Sequence, residues 1–309
     1  MYLPEQWFSA EYAERRERCG IPAGVAFQSK SELALAMVER QVHLGLVPYR
    51  WLVFDEFFGR DGAFLEAVGA CGWYLAEVPN DSRVYLEAPR PGVPAWSGRG
   101  RKPSKARVLA KDAQPVAELA ASLPCEGWQR FTLKEEKGPI VAHLACLRVL
   151  VVRQQGEALA VHERWLVLRR EVDSGEVKYY LSNAPKDTAL ESFARLSVMR
   201  SPIESCFQEG KQELGMGDYQ VRSYLGWHHH MTLVILAHFF LVRLKLRLAE
   251  RAPKLTLPQA VMLLKASLPQ AEFDLDKAIR VVNYYQERHE AARQSHRKKR
   301  LARLGRWFE

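Results

Sequence analysis

The sequence predicts an α/β fold, and three stretches predict it. Residues 51 to 79 read as strand, helix and strand: Trp51 to Phe54 is a continuous apolar run of four, residues 61 to 71 carry helical spacing, and "WYLAEVP" (73 to 79) is apolar again. From about 128 to 183 the pattern turns strongly β, in "WQRFTL", "HLACLRVLVV", "ERWLVLRREV" and "VKYYLSN". From residue 187 onward the spacing is mostly helical.

Taken in order, residues 29 to 46 predict a helix with Leu33, Met37, Val38 and Val42 on one face and Ser31 at its N-cap. The run Trp51–Phe54 is short enough for a central strand; it stops at Asp55 and Glu56, and Gly59 breaks it. After Pro79 the composition shifts. "APRPGVPAWSGRGRKPSKARVLAK" (88 to 111) is rich in Pro, Gly and basic residues and reads as a linker or exposed loop. Asp173-Ser174-Gly175 predicts a hairpin turn. Residues 187 to 199 form one helix, and Pro202 opens the next, which runs to about Leu214. Further helices are expected at 226 to 249, 256 to 267 and 274 to 290, before the basic tail "RQSHRKKRLARLGRW".

Bulk properties narrow the class. A chain of 309 residues holds one large core with an inserted subdomain, or two domains. With 48% apolar and 26% charged residues, wholesale disorder is excluded. The net charge of +9 suits a polyanionic partner, and equally suits an ordinary basic soluble protein. Cys19, Cys71, Cys125, Cys146 and Cys206 are scattered and form no CxxC pair, so their spacing supports neither a zinc site nor a disulfide framework. A reducing cytoplasm fits that usage. The N-terminus has no basic region followed by an apolar stretch, so no signal peptide is expected. The longest apolar run, Met231 to Val242, is too short to span a bilayer and contains His238; a buried helix and no membrane are expected.

The most informative stretch is "RSPIESCFQEGKQELGMGDYQVRSYLGWHHHMTLVILAHFFL", Arg200 to Leu241. On a helix, Arg200, Glu204, Gln208 and Lys211 share one face over three turns, with Ile203, Phe207 and Leu214 on a neighbouring stripe suited to packing on a sheet. By spacing alone this is the pattern of a solvated amphipathic helix with ordinary Arg–Glu–Lys pairs.

The spacing Arg200-x3-Glu204-x6-Lys211 also resembles the R-E-K part of the Y-R-E-K signature of DDE transposases from bacterial insertion sequences. "IESCFQEGKQELG" followed by "YQVRSYLGWHHH" is similar to that family's third catalytic block, and "WLVFDEFFGRD" to its second, a hydrophobic strand ending in Asp. "YLPEQWF", "ELALAMV" and "LAEVP" are similar to the flanking segments, and the resemblance covers most of residues 1 to 250. It implies an RNase-H-like core interrupted by a β-rich insertion. The expected divisions are 1–79 (core, carrying the second Asp), 80–178 (insertion), 179–250 (rest of the core, with the Glu helix) and 251–309 (helical, with the basic tail).

The resemblance further implies DNA strand cleavage and transfer by in-line displacement at phosphorus, with Mg²⁺ or Mn²⁺ as cofactor. Asp55 is the implied second carboxylate and Glu204 the third, both catalytic and both metal ligands, with Arg200 and Lys211 contacting phosphates. The implied partners are double-stranded DNA, as transposon ends and target, and a second copy in the DNA complex. Three departures stand out. Ser197 falls where the signature has Tyr. Ser201 and Pro202 replace the aromatic and basic residues usual before the Ile-Glu pair. The family's first Asp belongs on a strand upstream of "YLPEQWF", whereas the sequence starts at Met1, so a core incomplete at its N-terminal strands is expected. Asp61 and Asp81 lack a preceding buried strand and do not replace that Asp. Two functional readings follow: a transposase, catalytically incomplete as this fragment, or a non-catalytic DNA-binding remnant that inhibits transposition.

Other residues carry two readings each. Glu56, next to Asp55, is a surface charge or an outer support of the site. His228, His229 and His230 read as surface or DNA-backbone residues rather than metal ligands, because helical neighbours do not converge. His238 reads as a hydrogen-bonded core residue. Tyr219, Gln220 and Arg222 either contact DNA or cap the next helix. Trp96, Trp128 and Trp165 stack on a flipped base or pack in a sheet, the latter favoured for Trp165. Arg99, Arg101, Lys102, Lys105 and Arg107, and Arg297, Lys298, Lys299 and Arg300 in the tail, track phosphates or are simply solvated.

Overall fold

The computed structural model describes residues 1–89, 91–104, 107–108, 113–135, 138–155, 158–220, 222–268 and 274–305. It divides into two compact units, Met1–Phe240 and Leu241–Glu309. The first begins with α1 (Ala13–Arg18) and α2 (Lys30–Leu44), then β1 (Trp51–Phe54), α3 (Glu56–Gly59), α4 (Gly62–Gly69) and β2 (Trp73–Val78). Short strands β3 (Arg83–Val84), β4 (Pro91–Gly92), β5 (Arg107–Val108) and β6 (Gln114–Pro115) lead to α5 (Val116–Ser122). Next come β7 (Gln129–Glu135), β8 (Gly138–Gln155), β9 (Ala158–Glu171), β10 (Val177–Ser182), α6 (Leu190–Leu196) and α7 (Ser201–Glu213). Helix α8 (Tyr224–Arg247) crosses the division, and α9 (Leu257–Ser267) and α10 (Leu275–Gly305) complete the second unit.

One mixed six-stranded sheet, ordered β1-β2-β10-β9-β8-β7, organises the first unit. Only β1 and β2 are parallel, Phe54 pairing with Ala76; the remaining pairs are antiparallel. The β-rich stretch therefore extends the same sheet as β1 and β2. The long β8–β9 hairpin forms its spine. On one face, α6 seals a core of Leu75, Leu144, Val167, Tyr180, Phe193 and Leu196, with the Phe193 ring held edge-on 5.9 Å from Trp51 and 5.8 Å from Trp165. On the other face, α5 covers Val78, Val149, Leu166 and Leu168, while α2 and α4 bury Phe64, Val68 and Tyr74 against Leu52 and Phe54.

Local chemistry sets the ends of the elements. Helix α2 starts with a capping box in which the Ser29 hydroxyl accepts from the Glu32 N–H and the Glu32 carboxylate accepts from the Ser29 N–H. Ser29, not Ser31, is thus the N-cap: only Ser29 has an acceptor-capable partner three residues on. Asp61 caps α4 by accepting from Ala63 and Phe64. The predicted turn at 173–175 closes β9 onto β10, with Gly175 at φ 70°. Part of the predicted linker is ordered as a two-stranded pair, Pro91 with Val108. Lys105 lies outside the described residues. Helix α10 runs on to Gly305, so the basic tail through Arg297 and Lys298 is helical rather than loose; the side chains of Lys299 and Arg300 lie outside the described residues.

Helix α8 departs most from expectation. It has 24 residues, long and apolar enough by length and composition to cross a membrane, and little of it is buried. Leu225, Leu233, Ile235, Leu236, Phe239 and Phe240 all face outward, because its apolar residues run round the whole circumference while only one narrow stripe is packed. Helix α7 likewise exposes Met199, just before it, and Ile203 and Phe207. Of the stripe expected to pack on the sheet, Ile203 and Phe207 are thus exposed, and Leu214 is half-buried.

Gly59 ties the fold to the site. A Cβ there would collide with the carbonyl oxygen of Glu77 on β2, so α3 lies flush on β2 only because residue 59 has no side chain. Gly59→Ala is expected to lower stability by about 1–3 kcal/mol, an overpacking cost, measured by urea denaturation; an unchanged midpoint would contradict the close α3–β2 contact.

Candidate active site

The site grows from the period-two alternation of four strands. Trp51 and Val53 point to the α6 face of the sheet, as do Trp73, Leu75 and Glu77, and Asp55 follows at the tip of β1 with one oxygen toward Arg200. On β10, Lys178 and Tyr180 share that face through the pairings Tyr180 with Glu77 and Lys178 with Arg169; Arg169 and Glu171 follow Trp165 and Val167 along β9. At one end of the face the apolar core therefore gives way to a charged floor. The segment from Ser197 to Glu204, which joins α6 to α7, roofs it. Together they enclose a cleft of about 170 Å³ lined by Glu77, Arg169, Glu171, Lys178, Arg200 and Glu204 among others.

Two anchors hold the roof. Arg169 is only 4% exposed; one terminal nitrogen donates to the Ser197 carbonyl at 2.9 Å and the other to Glu171 at 2.6 Å. A buried guanidinium thus fixes the chain three residues before Arg200. Ser197, where the resembling signature has Tyr, is itself buried, its hydroxyl donating to the Ala194 carbonyl at 2.8 Å. Tyr180 stands nearby: burial pushes its phenol up, Glu77 and Glu171 add to the rise, and Arg169 and Arg200 pull it partly back.

Asp55 and Glu204 meet through one side chain. Asp55 caps α3, its Oδ1 accepting from the Phe58 N–H at 3.3 Å, which fixes the carboxylate at the tip of β1. Its Oδ2 lies 3.9 Å from Nη1 of Arg200, while Nη2 of Arg200 lies 3.0 Å from Glu204 Oε1. One guanidinium therefore spans the two carboxylates, 149 positions apart in sequence (204 − 55). Glu204, Gln208 and Lys211 share the exposed face of α7, and Lys211 makes no ion pair among the described residues. Among the described residues no three His, Cys, Asp or Glu side chains cluster tightly enough to hold a metal ion. Two hard carboxylates with a cation already between them do fit a Mg²⁺-type ion, which uses one or two carboxylates and completes its shell with water and phosphate oxygens.

The other sequence candidates lie outside this cluster. Glu56 pairs with Arg60 on α3. Tyr219 donates to the Ser223 carbonyl at 3.3 Å and stacks on His230, and Ser223 caps the start of α8, where Gln220 and Arg222 are exposed. The histidine triplet is not a plain surface run. His228 packs between Tyr224 and Trp227, and His230 bonds the Gly215 carbonyl at 2.9 Å, because consecutive helical residues point in different directions. His238 pairs with Glu209 at 2.9 Å. Trp165 donates to the Pro185 carbonyl under the Arg148 guanidinium, Trp128 lies under Arg170, and Trp96 is half exposed. Arg99, Arg101 and Lys102 are exposed, apart from the cleft lining. Sequence reasoning missed Glu77, Arg169, Glu171, Lys178 and Tyr180. The available signal was strand parity: in "ERWLVLRREV", Arg169 and Glu171 share the parity of inward-facing Trp165 and Val167.

A mixed α/β sheet whose edge-strand Asp and helix-borne Glu converge at one end is an arrangement suited to phosphoryl-transfer nucleases. Residues 1–139 match the family model described as DDE superfamily endonuclease, which supports a DDE transposase or endonuclease family. The match includes Asp55 and ends before the Arg200–Lys211 segment. No curated protein matches the chain.

Arg169→Met is expected to cost about 2–4 kcal/mol, because it leaves the buried Ser197 carbonyl unpaired and strips Glu171 of its charge partner. The double variant Arg169→Met/Glu171→Met should recover part of that loss in urea denaturation; strictly additive losses would show that the two side chains are not coupled.

Proposed function

We propose that the chain carries two carboxylates of a metal-dependent DNA transposase of the bacterial insertion-sequence type, built on an RNase-H-like core. The observation that carries this reading is the convergence of Asp55 and Glu204 on one guanidinium at the tip of β1. The family match over residues 1–139 supports it, as does the R-E-K spacing on α7. A divalent ion held by Asp55 and Glu204 would supply a Lewis acid for in-line displacement at phosphorus. The chain's own residues do the rest. Arg200 and Lys211, eleven positions apart along one helix face (211 − 200), offer cations to separate phosphates of a DNA strand, so DNA affinity should fall with salt. Asp55, tethered through Oδ1 as a helix cap, presents Oδ2 toward Arg200.

We further propose that this core takes an additional strand. Strand β1 lies at the end of the sheet, pairing only with β2 among the described residues, although parallel strands are normally enclosed. The exposed stripe Met199, Ile203 and Phe207 starts beside Asp55. A strand-forming polypeptide seated on the β1 edge would cover that stripe and bring a further carboxylate to the site. Without it, the same surfaces support the second reading, a DNA-binding protein that occupies transposon ends without cutting them.

The test uses duplex DNA bearing the element's ends with Mn²⁺, and the chain alone or complemented with a strand-forming peptide that carries an Asp. Cleavage is expected in the complemented sample, with Asp55→Ala and Glu204→Ala each lowering the rate at least about 100-fold. Salt-sensitive DNA binding with no cleavage in any sample would favour the inhibitory reading. Cleavage that survives Asp55→Ala would end the assignment of this residue pair.

A further inference from the structure

Arg200 occupies an unusual position for a phosphate-binding residue. Its forked head faces not outward to solvent but between the two carboxylates, one terminal nitrogen toward Asp55 at 3.9 Å and the other on Glu204 at 3.0 Å. That is the place where a cation shared by those carboxylates must sit. A guanidinium and a divalent ion compete for it, since both are cations drawn between the same two oxygens, Asp55 Oδ2 and Glu204 Oε1. The arginine also has somewhere to go. Its side chain is 35% exposed, and it lines the 170 Å³ cleft whose floor carries Glu77 and Glu171. Glu77 lies 3.7 Å from Lys178 and makes no shorter ion pair among the described residues, so it retains acceptor capacity for an incoming guanidinium.

Resting on the metal-site reading above, we infer that Arg200 is the resident counter-ion of the Asp55–Glu204 pair and a competitor for the divalent ion, which displaces it toward Glu77. Before metal arrives, Arg200 keeps two like charges from splaying β1 and α7 apart, so the site is held together without its ion. Once displaced, the same guanidinium is free for a phosphate oxygen. The arginine thus couples metal entry to readiness for substrate. Because Glu204 is 64% and Asp55 41% exposed at the side chain, the pairings are solvent-screened and the competition is modest.

The test is Mn²⁺ binding by the full chain without DNA, following free Mn²⁺ by electron paramagnetic resonance at constant ionic strength. Arg200→Gln is expected to bind Mn²⁺ about three- to tenfold more tightly than wild type, the size of two screened ion pairs removed. Arg200→Lys, which keeps the charge but not the fork, should fall between the two and serves if the glutamine variant folds poorly. Lys211→Gln removes the same unit charge from the same helix outside the bridge and should change affinity less than Arg200→Gln does. An Arg200→Gln affinity equal to or weaker than wild type, with binding still abolished by Asp55→Ala, overturns this inference and leaves the metal site standing. Absence of Mn²⁺ uptake by every variant overturns the metal site and the inference together.

Discussion

Everything proposed for this chain depends on one charge arrangement: a strand tip and a helix start brought close enough for one guanidinium to lie 3.0 Å from Glu204 and 3.9 Å from Asp55. The rest of the first unit reads as the means of producing it. Parallel pairing with β2 carries Asp55 to the end of the sheet. The missing side chain at Gly59 lets α3 lie on β2, and α3 in turn fixes Asp55 as its cap. From the opposite direction, the Phe193 ring wedged between two tryptophans seats α6, and the buried Arg169 then holds the Ser197 carbonyl so that α7 starts over the floor. Each of these helps hold the two carboxylates at one end of the sheet.

The same end of the sheet concentrates charge of both signs, Glu77, Glu171 and Glu204 against Arg169, Lys178 and Arg200. A polar cleft of this kind contributes little to stability, since desolvation offsets most of the attraction. Its place beside a well-packed apolar core suits a binding role better than a stabilising one. Exposed apolar surface tells a related story: β1 at an edge, the stripe Met199–Ile203–Phe207 and the outward face of α8 are features that proteins ordinarily cover.

Much of the fold was legible in sequence because its strongest signals are local. The apolar run Trp51–Phe54 stopping at Asp55 marks a strand and its tip, and the i, i+4, i+11 spacing of Arg200, Glu204 and Lys211 marks one helix face. Pairing across the sheet was not legible. Arg169 and Tyr180 look like ordinary members of β-rich runs until register sets Lys178 beside Arg169 and Tyr180 beside Glu77. Helix α8 misled for a different reason: an apolar run predicts that a helix wants burial, not that a partner is there to provide it. The Ser29 cap was misplaced by two residues because capping depends on geometry that only Glu32 reveals.

The central claim is that Asp55 and Glu204 serve one ion rather than two independent charges. A double-mutant cycle on Mn²⁺ affinity tests it most directly, comparing Asp55→Ala, Glu204→Ala and the pair. Shared ligation predicts strong non-additivity: either single change removes nearly all binding and the second adds little. Independent, additive losses from the two substitutions would contradict the account.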